Sequence, residues 1–105
     1  MFREIWNACA VASSIRPEVR LRSKRLFGNA YMLEVCAGLS AVQRTNLTAL
    51  LGPAGPSPSL YAAPLRRLVD AGLLMLDPQP EDDRRERWYR PTPTDLWRVA
   101  RELAT

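Results

Sequence analysis

Arginines set among acids and aromatics are the side chains here best suited to chemistry, and that chemistry is the binding of anions. Residues 82–92, DDRRERWYRPT, place Arg84, Arg85, Arg87 and Arg90 beside Asp82, Asp83, Glu86, Trp88 and Tyr89. A guanidinium offers a planar fork of donors that matches phosphate and carboxylate oxygens. A second cluster, RPEVRLRSKR over residues 16–25, holds five bases and one acid, and its net +4 equals the excess of the whole 105-residue chain. A third pair, Arg66 and Arg67, follows a run of small and apolar residues. A sequence pI of about 9.7 suits a polyanionic partner.

Other chemistries have little to stand on. The chain has no histidine, which removes the commonest general base and the commonest metal ligand. It has no glycine-rich phosphate loop, no GxSxG elbow and no acid pair in an apolar setting, so no enzyme activity, cofactor or metal site is expected. Cys9 and Cys36 lack the paired spacing of a zinc or redox site and are expected as core fillers. No apolar run approaches the roughly 18–20 residues that cross a bilayer, so a cytoplasmic protein with no membrane partner is expected.

These arginines must be positioned by a small, mainly helical fold. At 105 residues the chain suits a single domain. Phe2, Ile5, Trp6, Cys9 and Ala12 recur at helical spacing and predict an amphipathic helix over 2–15. Pro17 can open a second helix across about 18–38, interrupted near Gly28 and ended by Gly38, with Leu21, Leu26, Ala30, Leu33 and Ala37 along its apolar face. Residues 41–44 read as a very short strand, and Thr45 as the cap of a helix over 46–51 that buries Leu47, Leu50 and Leu51. GPAGPSP, residues 52–58, is a turn. A helix then runs from Ser57 or Ser59 to Ala71 with Tyr61, Leu65 and Leu68 inward; Gly72 stops it. LLML, 73–76, and RWYR, 87–90, read as strands around the polar loop 77–85. Thr92 or Thr94 caps a last helix with Leu96, Trp97, Ala100 and Leu103 on one face.

A short helix, a turn, a longer helix ending in Ala71-Gly72-Leu73 and two strands around a charged loop resemble the winged helix-turn-helix of the MarR and PadR families of bacterial transcriptional regulators, and more loosely the ArsR family. SPSLYAAPLRRLVDAGLL, residues 57–74, is similar to their recognition helix. DDRRERWYRPT is similar to the MarR wing signature through Asp83, Arg85, Tyr89 and Thr92. Pro64 should remove a hydrogen bond to the carbonyl of residue 60 and bend the helix, and the PadR family tolerates a proline close to this place. The resemblance covers residues 26–98. It implies an N-terminal helix over 1–16, a winged core over 17–92 and a C-terminal helix over 93–105, with both terminal helices serving dimerisation.

It also implies a sequence-specific, double-stranded-DNA-binding regulator acting as a homodimer. The helix at 57–71 would enter the major groove with Ser57, Ser59, Leu60, Ala62, Ala63, Arg66 and Arg67, and a wing at 77–88 would bring Arg84, Arg85 and Arg87 to the minor groove, Asp83 bracing Arg85. Phe2, Ile5, Trp6, Cys9, Leu96, Trp97, Ala100 and Leu103 are the expected dimer contacts. Trp6, Trp88, Trp97 and Tyr61 are expected in the core or an interface rather than as stacking platforms. Arg20, Arg22, Lys24 and Arg25 are either a solvated helix surface or a strip along flanking phosphates, and one of Arg66 and Arg67 is expected to pair with Asp70. Two rivals stand beside this reading. One is a winged-helix protein-interaction module without specific DNA binding, favoured by Ala62 and Ala63; the other is a thiol sensor using Cys9 or Cys36.

Overall fold

The computed structural model describes residues 16–53, 55–78 and 86–105. The expected helix over 2–15 and the tip of the charged loop, residues 79–85, lie outside the described residues, as does Ala54. Among the described residues the chain forms five helices and a three-stranded antiparallel sheet. In order these are α1 (Pro17–Phe27), α2 (Met32–Leu39), β1 (Thr45–Asn46), α3 (Leu47–Leu51), α4 (Pro58–Asp70), β2 (Leu74–Leu76), β3 (Trp88–Pro91) and α5 (Leu96–Leu103). This layout is compatible with a winged helix.

α2 is the centre. All eight residues of MLEVCAGL are buried, as suits a helix whose residues are apolar on all sides but for Glu34. It packs against α5, α1 and α4. Val19, Leu33, Val35, Leu39, Leu50, Tyr61, Leu65, Leu68, Leu74 and Trp97 complete one core.

The helix expected over 18–38 is interrupted at Gly28, as its glycine suggested, and the break separates two helices. Gly28 takes a left-handed conformation at φ 73° and donates its N–H to the Lys24 carbonyl, closing α1. Buried Ser23 then ties the two helices: its hydroxyl donates to the Asn29 carbonyl and accepts the Leu33 N–H at 2.7 and 2.9 Å. Because the helical phase is lost at this turn, the expected continuous face does not form. Val19 and Ser23 face inward, whereas Leu21 and Leu26 are 52% and 57% exposed. Gly38 does not end α2 either. It lies inside the buried helix, which stops one residue later, where Ser40 folds its N–H and hydroxyl back onto the Ala37 carbonyl.

The expected strand at 41–44 is displaced to Thr45–Asn46, which pairs with Tyr89 and Trp88. The cap of α3 is therefore Asn46, whose side chain accepts the Ala49 N–H at 2.8 Å, and not Thr45. α5 likewise starts from Asp95, with the Thr94 hydroxyl accepting the Leu96 N–H at 3.3 Å. Thr92 instead closes the sheet: its N–H and its hydroxyl both donate to the Leu73 carbonyl.

The turn between α3 and α4 leaves no room at Gly55, where an added Cβ would sit 2.3 Å from the Leu51 carbonyl oxygen. At Gly28 a Cβ would meet open space and carry only the left-handed strain. Gly55→Ala should therefore cost roughly 1–3 kcal/mol through displaced backbone, and lower the affinity of any ligand read by α4. Gly28→Ala should cost about 1–2 kcal/mol and leave ligand affinity alone. Urea midpoints with a parallel binding assay separate the two.

Candidate nucleic-acid interface

α4 begins with Pro58 at its first position, where the missing N–H is harmless, and Leu60 donates to the Ser57 carbonyl at 2.9 Å. Tyr61, Pro64, Leu65 and Leu68 form its buried side. Pro64 sits in the helix interior, beyond the first turn, and its ring is enclosed by the core, so packing offsets the lost backbone bond. With that side inward, 3.6-residue periodicity turns Ser59, Ala63, Arg66, Arg67 and Asp70 outward; all are exposed, as is Ser57. Ala62 is half-buried and Leu60 is 39% exposed. The expected residues of this helix thus share one accessible side.

Neither Arg66 nor Arg67 pairs with Asp70, contrary to expectation. Arg67 reaches instead to the Phe27 carbonyl at 3.3 Å, at the end of α1 where carbonyls lack helical partners and attract cations. Arg66 keeps its guanidinium outward with no ion pair among the described residues.

What holds α4 in place was not foreseen. Glu34, fully buried in α2, accepts from Arg20 of α1 through Nε at 2.7 Å and Nη2 at 3.2 Å, and from the Tyr61 hydroxyl of α4. The Arg20 guanidinium lies 4.9 Å from the Tyr31 ring centroid, and the Tyr31 and Tyr61 rings are 6.2 Å apart. One carboxylate therefore joins three helices. Its hydrogen bonds raise the pKa of Arg20, and burial first, then Glu34, raises that of Tyr61. Of the basic segment, Arg20 is committed to this network and Arg22 donates to the Leu103 carbonyl. Lys24 and Arg25 are exposed. The signal was present in the sequence: Glu34 is the only charge in an otherwise apolar run.

The roots of the charged hairpin are equally specific. Asp77 accepts Arg44 Nε at 2.8 Å on one oxygen and Arg90 Nε at 2.7 Å on the other, and both cations hold its carboxyl below the usual range. Arg44 also lies over Trp88, 4.3 Å from the ring centroid. Trp88 was expected in the core or an interface; it is 37% exposed because strand alternation turns Tyr89 inward in its stead. Glu86, set among the arginines in sequence, accepts the Thr48 N–H and hydroxyl at the start of α3. Arg87 beside it is exposed, while Asp83, Arg84 and Arg85 lie outside the described residues.

The expected dimer contacts of α5 are largely internal. Trp97 and Ala100 are 7% and 1% exposed in the protomer's own core, and the Trp97 indole N–H donates to the Thr92 carbonyl at 2.7 Å. Leu96 and Leu103 are half-buried against the same core. Phe2, Ile5, Trp6 and Cys9 lie outside the described residues. Cys36 is a core filler, 1% exposed, and burial pushes its thiol up to about 12, which withholds the thiolate a sensor needs. Among the described residues no helix is long and apolar enough to cross a membrane, and no cluster of candidate ligands could hold a metal ion.

Comparison with known protein families, with characterised proteins and with solved structures found no match to this chain.

Two predictions follow from the buried network. Arg20→Ala leaves Glu34 with Tyr61 alone; because Arg20 is partly solvated, the loss should fall between a surface pair and a buried one, about 2 kcal/mol in urea unfolding. Alkaline stability should show the raised pKa values. Below pH 9 the folded and unfolded thiol are both protonated; from its ordinary 9.0 toward about 12 only the unfolded thiol ionises, so stability falls as pH rises. Tyr61 adds the same sign above about pH 10. Unfolding midpoints measured from pH 8 to 11 should decline, with Cys36→Ala removing the earlier part of the decline and Tyr61→Phe the later.

Proposed function

We propose that this chain is a sequence-specific DNA-binding regulator of transcription with a winged helix-turn-helix fold. The observation that supports it best is the outward side of α4, where Ser57, Ser59, Ala63, Arg66 and Arg67 are all accessible on a helix anchored from behind by Tyr61. A helix of this kind fits the major groove of B-form DNA, and its serines and arginines can reach phosphates and base edges. α3 stands before it as the first helix of the motif, and β2 and β3 follow as the roots of a wing. Arg87, with Arg84 and Arg85 just before it in sequence, supplies the cations for the minor groove in this reading.

The active form in this reading is a homodimer whose two α4 helices lie about one DNA turn apart, on a pseudo-palindromic operator. Since Trp97 and Ala100 are internal, dimerisation rests on residues 1–15 with the exposed Val99 of α5 rather than on the whole apolar side of that helix. The specific alternative is a protein-interaction module, favoured by the partly exposed Leu60 beside Ala62 and Ala63.

Selection from a random duplex library tests the reading, and two-fold symmetry in the retained sequences is the expected result. On a selected duplex, Arg66→Ala and Arg87→Ala should each weaken binding and flatten the salt dependence by about one unit without lowering the unfolding midpoint. Arg67→Ala should do the same and also loosen the end of α1. No enrichment, or wild-type affinity in all three variants, would remove DNA recognition from this surface; salt-insensitive protein partners lost in Leu60→Ser would establish the alternative.

A further inference from the structure

We infer that Arg44 and Arg90, both held by Asp77 and the first of them stacked on Trp88, form a phosphoryl-binding site on the outer face of the sheet, separate from the DNA contacts proposed for α4 and the wing tip. Strand alternation turns Leu74 and Tyr89 toward the core, and Met75, Trp88 and Arg90 to the opposite face, where all three are exposed. Arg44 joins this face from the segment before β1 by lying on the Trp88 ring. The site therefore draws on three separate stretches of chain: the approach to β1, the end of β2 and β3.

Its geometry is that of a receptor for an anion. Each guanidinium donates only Nε to Asp77, one to each oxygen, at 2.8 and 2.7 Å. Among the described residues this leaves the terminal amino groups of both arginines without a partner and keeps the two cations close together. One carboxylate against two guanidinia leaves a net positive charge, and Asp77, lowered in pKa by these same cations, remains ionised throughout the neutral range. The stacking on Trp88 and the bonds to Asp77 restrain both side chains before any ligand arrives, so less freedom is lost on binding. A carboxylate is matched by one guanidinium fork; two guanidinia brought together from different stretches of chain suit the outward oxygens of a phosphoryl group better, three on a monoester and two on a backbone diester. That group can belong to a nucleotide or to the backbone of duplex DNA.

Side-chain Nε–H resonances of Arg44 and Arg90 in the full chain, followed by nitrogen-15 NMR, test the assignment with three probes: inorganic phosphate, a nucleoside monophosphate and a short duplex. Saturable shifts of both resonances are expected with at least one probe, and Arg44→Gln and Arg90→Gln should each weaken that probe's binding about tenfold. Shifts with the two small probes but not the duplex would assign the site to a phosphorylated metabolite, and would stand even if the DNA reading failed. Shifts with the duplex would assign it to backbone phosphate. Binding of duplex with both resonances unmoved by all three probes would overturn the site while leaving the DNA reading intact. The resonances are read on the wild-type chain, so a variant that fails to fold does not decide the outcome.

Discussion

The carboxylate of Glu34 is the constraint on which the other contacts depend. An ionised group enclosed in a helix core is tolerable only when its oxygens are hydrogen-bonded and its charge is matched. Arg20 supplies the charge and two donors, and Tyr61 supplies a third. Because these partners come from α1 and α4, satisfying one buried atom group fixes the relation of three helices. Apolar packing alone would let α4 slide or rotate by small amounts at little cost, whereas a displaced Tyr61 would leave Glu34 a donor short. The accessible side of α4 is thus oriented from within.

A related logic operates at the sheet, where the groups are solvated. Asp77 gathers Arg44 and Arg90, and Glu86 holds Thr48 at the start of α3. These contacts lie in higher dielectric and contribute less to stability than the Glu34 network. Their effect is on position: they tie β2 and β3 at Asp77, Glu86 and Arg90 to the segment before β1 and to α3. Burial and exposure divide the polar work between stability and presentation.

Much of the fold was legible because periodicity carries it. Tyr61, Leu65 and Leu68 at helical spacing, the Gly-Pro turn before them, and the alternating strand RWYR are local patterns with local causes. The errors have local causes too. The break at Gly28 was expected, but one apolar face was carried across it because leucines continue on both sides, and the left-handed backbone of Gly28 resets the phase. Trp88 was expected in the core or an interface from its place on the apolar side of a strand, although the register with Thr45 and Leu76 gives the inward position to Tyr89. Trp97 and Ala100 were expected as dimer contacts, whereas α2, buried on every side, takes them into the protomer's own core. At the candidate interface, the accessible residues of α4 followed from its buried ones, while the pairing of its arginines did not.

The amino-acid sequence by itself determined most of the helical segments among the described residues, the glycine break at Gly28, the proline-rich turn before α4 and the excess of cationic side chains, since composition and short-range periodicity act within a few residues. Only the tertiary structure decided which arginines remain accessible. Arg20 and Glu34 are 14 positions apart and Arg44 and Asp77 are 33 apart. Ionic pairing over such separations depends on how the chain returns upon itself, and no local pattern encodes that distance.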